Sequence, residues 1–169
     1  MNFKNWLCAA LLGGASLSAK ADWACEVVLC LANPQGPTAV AECVPPIEKL
    51  WSELAKGHGF PFCNMNSSGA SGNSASYQWA NSDYCPPQYT FWGGPEQSTL
   101  LCQMRGAVTI RLDGKPYNRT WWNGNTAVTE NLSPEAAGAP GASTQFQHDY
   151  AAWKVRLDTE AAAQTSNSN

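Results

Sequence analysis

Six cysteines, Cys25, Cys30, Cys43, Cys63, Cys85 and Cys102, come after a segment built like an export signal, and this combination restricts the fold more than any other feature of the chain. The first 21 residues carry Lys4, an apolar stretch from Trp6 to Leu12, and the run Ala19-Lys20-Ala21. A weakly basic start, a short apolar centre and small residues at A-x-A describe a secretory signal peptide, with cleavage expected before Asp22. The apolar stretch falls short of the roughly 20 residues that a spanning helix needs, as does every later segment, so no membrane span is expected. Cys8, preceded by Asn5-Trp6-Leu7, is a poor match to a lipid-modification site and leaves with the signal.

In an exported chain an even number of cysteines reads as disulfides, because the compartment is oxidising. The gaps between the six are 5, 13, 20, 22 and 17 residues. They offer neither the close pairs of a zinc site nor the C-x-x-C of a thioredoxin-like redox site. Metal and redox readings therefore stand behind a covalent scaffold, and no metal or cofactor is expected. Six cysteines allow fifteen pairings. Cys85 with Cys102 is preferred because they flank one short segment, which leaves Cys25, Cys30, Cys43 and Cys63 to tie the N-terminal helices together. Cys25 and Cys30 would lie about 140° apart around a helix and should bond different partners.

Processing leaves a chain with eight basic and thirteen acidic residues, a net charge of −5, because Lys4 and Lys20 leave with the signal. Its length suits one domain, 22–163. A mildly acidic exported chain is a poor candidate for direct nucleic-acid binding, which needs a concentrated basic face.

Asp22 to Ala32 reads as a short helix capped by Asp22. A second helical stretch starts near Pro37, passes Cys43 and Pro45-Pro46, and presents Ile47, Leu50, Trp51 and Leu54 at i, i+3, i+4 and i+7 before ending at Gly57. Asn64 to Asn81 is crowded with Ser, Gly and Asn and reads as a flexible loop fastened by Cys63 and Cys85. Val108 to Leu112, the turn Asp113-Gly114, and Pro116 to Trp122 predict a β-hairpin with Val108, Ile110 and Leu112 inward. Ser133 to Thr144 reads as a second loop. Phe146 to Ala163 reads as a last helix with Phe146, Tyr150, Trp153 and Leu157 on one face, and 164–169 as a disordered tail. The expected fold is α+β, mainly helical: a small disulfide-stapled domain with one β-hairpin. Sequons at Asn66, Asn118 and Asn131 read as chance.

No local catalytic signature is present. His58 and His148 read as capping or surface residues, since a nucleophilic site needs a base held by an orienting acid. Glu48, Glu53, Asp83 and Glu96 are candidates for the two carboxylates of a cell-wall glycosidase, although carboxylates beside an apolar helical stripe are ordinarily just solvated. The chain is expected not to be an enzyme. What stands out is tryptophan. In a strand, Trp121 and Trp122 must face opposite sides. Either one joins the core while the other, beside Tyr117 and Arg119, forms an exposed interaction surface, or both pack under loops.

The segments "CEVVLCLANPQGPTAVAECVPPIEKLWSELAKGHGFPFC", "CPPQY", "CQMRGAVTIRLDGKPYNRTWWN" and "DYAAWKVRL" together resemble the TrbM family, to which the KikA-type proteins of conjugative plasmids are also similar. The resemblance covers nearly all of Cys25 to Leu157 and includes all six cysteines. The Cys-rich N-terminal segment and the R-G…R-T-W-W stretch are its most specific parts. It implies a periplasmic accessory protein of the mating-pair-formation genes, acting with other conjugation and type IV secretion proteins in DNA transfer, with homo-oligomerisation left open. The family has no established reaction, so no catalytic residue carries over. A peptidoglycan-processing or peptidoglycan-binding protein is the alternative, and a toxin-like host-killing factor the third reading.

Overall fold

The computed structural model describes residues 22–63 and 72–167. The expected signal peptide, residues 64–71 of the Ser/Gly segment and the last two residues of the expected tail lie outside them. Asp22 caps the first helix as its sequence predicts: its carboxylate accepts from the Ala24 amide at the start of α1 (Trp23–Leu31). After α1, a 3-10 turn at 41–43 leads into α2 (Val44–Ala55), whose prolines sit in the first turn, where a missing N–H costs no helical hydrogen bond. Ile47, Leu50, Trp51 and Leu54 form the buried stripe that the spacing predicts, with Pro46 beside them. Burying a large apolar side chain stabilises by about 1.5–3 kcal/mol, so this stripe alone fixes α2 against the rest of the chain.

The domain is not mainly helical, and it holds far more strand than one hairpin. The chain builds β1 (Ser74–Trp79), β2 (Thr90–Gly93), β3 (Thr99–Cys102), β4 (Gly106–Leu112), β5 (Lys115–Asn123) and β6 (Thr126–Asn131). Four of these form an antiparallel sheet in the order β1-β4-β5-β6, and β2 and β3 form a separate antiparallel ribbon. The expected hairpin is the centre of the larger sheet. Asp113 and Gly114 both take positive φ (50° and 75°), as a two-residue primed turn requires. The segment read as a loop ends in β1, an edge strand of Ser, Ala, Tyr, Gln and Trp that pairs with β4 from Ser74↔Arg111 to Trp79↔Gly106. Strand propensity is weak there, and the pairing surface of β4 decides the conformation.

A second correction concerns Leu112. The register slips between Ile110↔Asn118 and Arg111↔Pro116, leaving Tyr117 as an extra residue in β5. The Tyr117 carbonyl accepts from the Leu132 and Ser133 amides, and Leu112, expected inward, is instead exposed. The predicted second loop contains α3 (Pro134–Ala137), capped by the Ser133 hydroxyl. The last helix, α4 (Gln145–Asn167), runs through the described part of the expected tail.

The inner face of the sheet packs on α1 and α2. Val108, Ile110 and Trp122 join Val27, Val28, Leu31, Ile47, Leu50, Trp51 and Leu54 in the core. Trp51 and Trp122 stack at 5.3 Å between ring centroids, 8° from parallel. Gly106 lies between Trp79 and Trp122 on the neighbouring strands. A Cβ at this position would fall 2.8 Å from the Gln78 carbonyl oxygen and 2.9 Å from the Tyr77 hydroxyl, so only glycine fits. On the same face Asn118 donates to the Leu31 carbonyl, and Asn131 donates to the Pro34 and Ser143 carbonyls, pinning the chain that leaves α1. Asn118 is fully buried, so its sequon cannot carry a glycan in the folded protein.

The three disulfides are Cys25–Cys63, Cys30–Cys43 and Cys85–Cys102. Cys25 and Cys30 diverge as their helical offset demands, one to each end of the segment that carries α2. All six thiols are consumed in bridges, which places the described chain in an oxidising compartment. Among the described residues no helix is long and apolar enough to cross a membrane.

Candidate functional site

The outer face of the sheet is polar in sequence yet largely covered. Thr109, Arg119 and Glu130 stand opposite one another on β4, β5 and β6. Arg119 Nε donates to the Thr109 hydroxyl at 3.0 Å, and Nη1 lies 3.4 Å from Glu130 Oε2. The same carboxylate oxygen accepts from the Trp121 indole at 2.9 Å. The guanidinium carbon sits 5.7 Å from the ring centroid of Tyr84 and 5.6 Å from that of Trp121, so its charge meets two π faces. Glu130 thus holds Trp121 and Arg119 in place, and the rings cover part of the guanidinium while the side chain stays about a quarter exposed.

One wall of this arrangement is residues 83–88. The Asn81 side chain accepts from the Asp83 and Tyr84 amides, fixing the turn, and the Cys85–Cys102 bridge fastens the segment to the end of β3. The opposite wall is the start of α4. Tyr89 donates to Asp149 at 2.6 Å, and its ring meets Phe146 edge to face at 6.1 Å. Burial, then the Asp149 carboxylate, hold the Tyr89 phenol well above the ordinary tyrosine range. Between the walls lies a cleft of about 300 Å³, with Arg119, Trp121 and Glu130 at its base and Phe146 and Tyr150 at its side. Gln88 also lines it. It is only 6% exposed, and neither atom of its side-chain amide has a hydrogen-bond partner among the described residues.

The residues singled out in the sequence separate. Arg119 and Trp121 share the cleft. Trp122 lies on the opposite face, fully buried against Trp51, and Tyr117 sits at the bulge, beside a different hollow formed with Lys115 and Pro134. The two tryptophans face opposite sides, as strand geometry requires, but both are covered. Among the described residues the tryptophans most open to solvent are Trp79 and Trp92, half exposed and more. Tyr84, Gln88, Glu130, Phe146 and Tyr150 complete the cleft without having been marked in the sequence as a site. The helical face carrying Phe146 and Tyr150 was legible, but nothing local says that it docks beside β5 and β6.

The candidate acids do not assemble. Glu48 is exposed on α2, and Glu53, on the same helix, binds His58 and Lys56, whose hydrogen bonds lower its carboxyl pKa. Helix α2 covers the inner face of the sheet, whereas Asp83 stands at the mouth of the outer cleft. Glu96 lies in the exposed turn between β2 and β3, and His148 is exposed in the first turn of α4. No protein-family model, characterised protein or solved structure matches the chain. The resemblance to the TrbM family therefore rests on the quoted residues alone.

Proposed function

We propose that this protein is a non-enzymatic, periplasmic accessory of a conjugative type IV secretion system and supports plasmid DNA transfer through protein contacts made at the outer cleft. The observation that carries a contact role is the Arg119–Glu130–Trp121 arrangement under Tyr84. Aromatic and arginine side chains dominate binding energy in protein interfaces, and here they are held rigid by paired charges and a disulfide-fastened wall. The conjugative setting comes from the family resemblance, and the three disulfides support work outside the cytoplasm. Deleting the gene should lower transfer frequency, and a copy carrying Arg119→Ala should restore it incompletely. A deletion strain that transfers at the wild-type rate overturns the reading.

Peptidoglycan binding is the second reading, favoured by the tyrosines at the cleft, since exposed rings also stack on sugars. Co-sedimentation of the purified protein with peptidoglycan, abolished by Tyr150→Ala, would replace the first reading with this one.

A further inference from the structure

The contact role proposed above leaves open what enters the cleft, and its charges restrict the answer. Its lining holds one cation, Arg119, and two carboxylates, Asp83 and Glu130. Arg119 is already engaged by Thr109, Glu130 and two rings. Glu130 uses only Oε2 for these bonds, and among the described residues no hydrogen bond or ion pair engages the Asp83 carboxylate. One negative charge is therefore left uncompensated at an aromatic-lined mouth. An anionic ligand would meet two carboxylates there, whereas a cation meets them together with the negative ring faces of Tyr84, Phe146 and Tyr150.

Two further observations point the same way. The site already holds one guanidinium beside a pair of rings whose centroids are 5.1 Å apart, so its chemistry suits a cation. Gln88, whose buried side-chain amide has no partner among the described residues, also lines this cleft, and a rotation of that side chain would offer its carbonyl oxygen as the acceptor that an ammonium or guanidinium group needs once it leaves water. At about 300 Å³ the cleft stands at the lower end of the range for small-molecule sites, which suits one long side chain. We infer that the outer cleft is a receptor for a single basic side chain, lysine or arginine, projecting from a partner protein, with Asp83 and Glu130 taking its charge and Tyr84, Phe146 and Tyr150 its stem. This rests on the contact role proposed above and names the partner's chemistry.

The test uses the exported, fully oxidised protein and three capped pentapeptides, Gly-Gly-X-Gly-Gly with X as Lys, Arg or Glu. Binding is monitored by the NMR resonance of the Trp121 indole N–H, identified through Trp121→Phe. The Lys and Arg peptides should shift it saturably and more weakly at high salt, and the Glu peptide should leave it unmoved. Asp83→Asn, an exposed change that leaves folding intact, should weaken the Lys peptide about three- to five-fold, and Tyr150→Ala should weaken it by a similar factor. A Glu peptide that binds as well as the Lys peptide, or no response to either basic peptide up to about 10 mM, overturns the assignment. A transfer defect in the deletion strain alongside no response overturns this inference alone and leaves the contact role standing.

Discussion

Trp121 and Trp122 are neighbours in β5, and they do opposite things. Trp122 faces the helices, stacked on Trp51 in an apolar layer that α1 and α2 close. Trp121 faces the other way, with its indole committed to Glu130 and its ring against Tyr84 and Arg119. Both are buried to within a few per cent, so exposure does not distinguish them; their neighbours do. The inner face is held by apolar area and two bridges, Cys25–Cys63 and Cys30–Cys43. The outer face is held by hydrogen bonds, paired charges and the third bridge. Unpartnered polar atoms occur on both faces, but those of the inner face, such as Thr120 Oγ1 and Thr129 Oγ1, are sealed in the core, whereas the paired charges of the outer face line an open cleft, and this marks the outer face as the one suited to recognition.

The largest test of this division is to change each tryptophan separately. Trp122→Ala removes a fully buried ring from the core and should cost about 3–5 kcal/mol of unfolding free energy, enough to abolish folding in a domain of ordinary stability. Trp121→Phe keeps the ring and deletes one hydrogen bond to a carboxylate, which should cost about 1.5–3 kcal/mol. Urea denaturation of both proteins checks the ranking. Equal losses would mean that the two faces carry stability in the same way.

The bridges sharpen the comparison next. Opening Cys85–Cys102 with a double serine substitution releases a loop of separation 17, and opening Cys30–Cys43 releases one of 13. In the chain-entropy picture both cost about 3 kcal/mol, because the cost varies only with the logarithm of loop length. Their functional consequences should differ. Loss of Cys85–Cys102 frees the wall carrying Tyr84 and should broaden the Trp121 indole resonance. Loss of Cys30–Cys43 should lower the denaturation midpoint equally and leave that resonance sharp. The opposite assignment, or identical spectra, would remove the basis for treating the outer face as a separate unit.

These contrasts also show what was legible beforehand. The Asp22 cap, the stripe of α2, the Asp113-Gly114 turn and the divergence of Cys25 and Cys30 are local or geometric facts, and each has a signature within a few residues. The disulfide preference for Cys85 with Cys102 came from short separation. The sheet did not show itself, because β1 is a Ser-rich edge strand and β6 is only Thr-Ala-Val-Thr-Glu-Asn. Both are strands by virtue of pairing with β4 and β5, information that is not in their own residues. Leu112 is the last residue of β4, beyond the register slip that Tyr117 introduces in β5, and it is exposed at that end of the sheet, which alternation along β4 alone does not reveal. Of the cleft's interaction residues only Arg119 and Trp121 were marked, because strand alternation sets them apart from Trp122. Glu130, Gln88 and Phe146 arrive from β6, the 83–88 turn and α4, and only the tertiary fold brings those together.

Two tyrosines provide the finest comparison of the faces. Burial pushes the Tyr77 phenol on the inner face up to about 12, with the Trp122 indole N–H pulling the other way, and the Tyr89 phenol on the outer side lies higher still. A phenol whose folded pKa exceeds its unfolded value of about 10 holds its proton more tightly when folded. Its contribution to stability is therefore fully present below about pH 10 and is lost as pH rises through the folded value. The denaturation midpoint should be level to about pH 10 and fall from there towards pH 12. Tyr77→Phe should reduce the fall within that window, because phenylalanine cannot ionise in either state, and should change little at neutral pH. Tyr89→Phe should differ on both counts. At neutral pH it deletes the hydrogen bond to Asp149 that fastens α4 over the cleft, and it removes a phenol whose loss of stability continues above pH 12. If Tyr77→Phe loosens α4 as much as Tyr89→Phe does, read from amide exchange along 145–153, the two faces are coupled through the sheet and cannot be treated as independent.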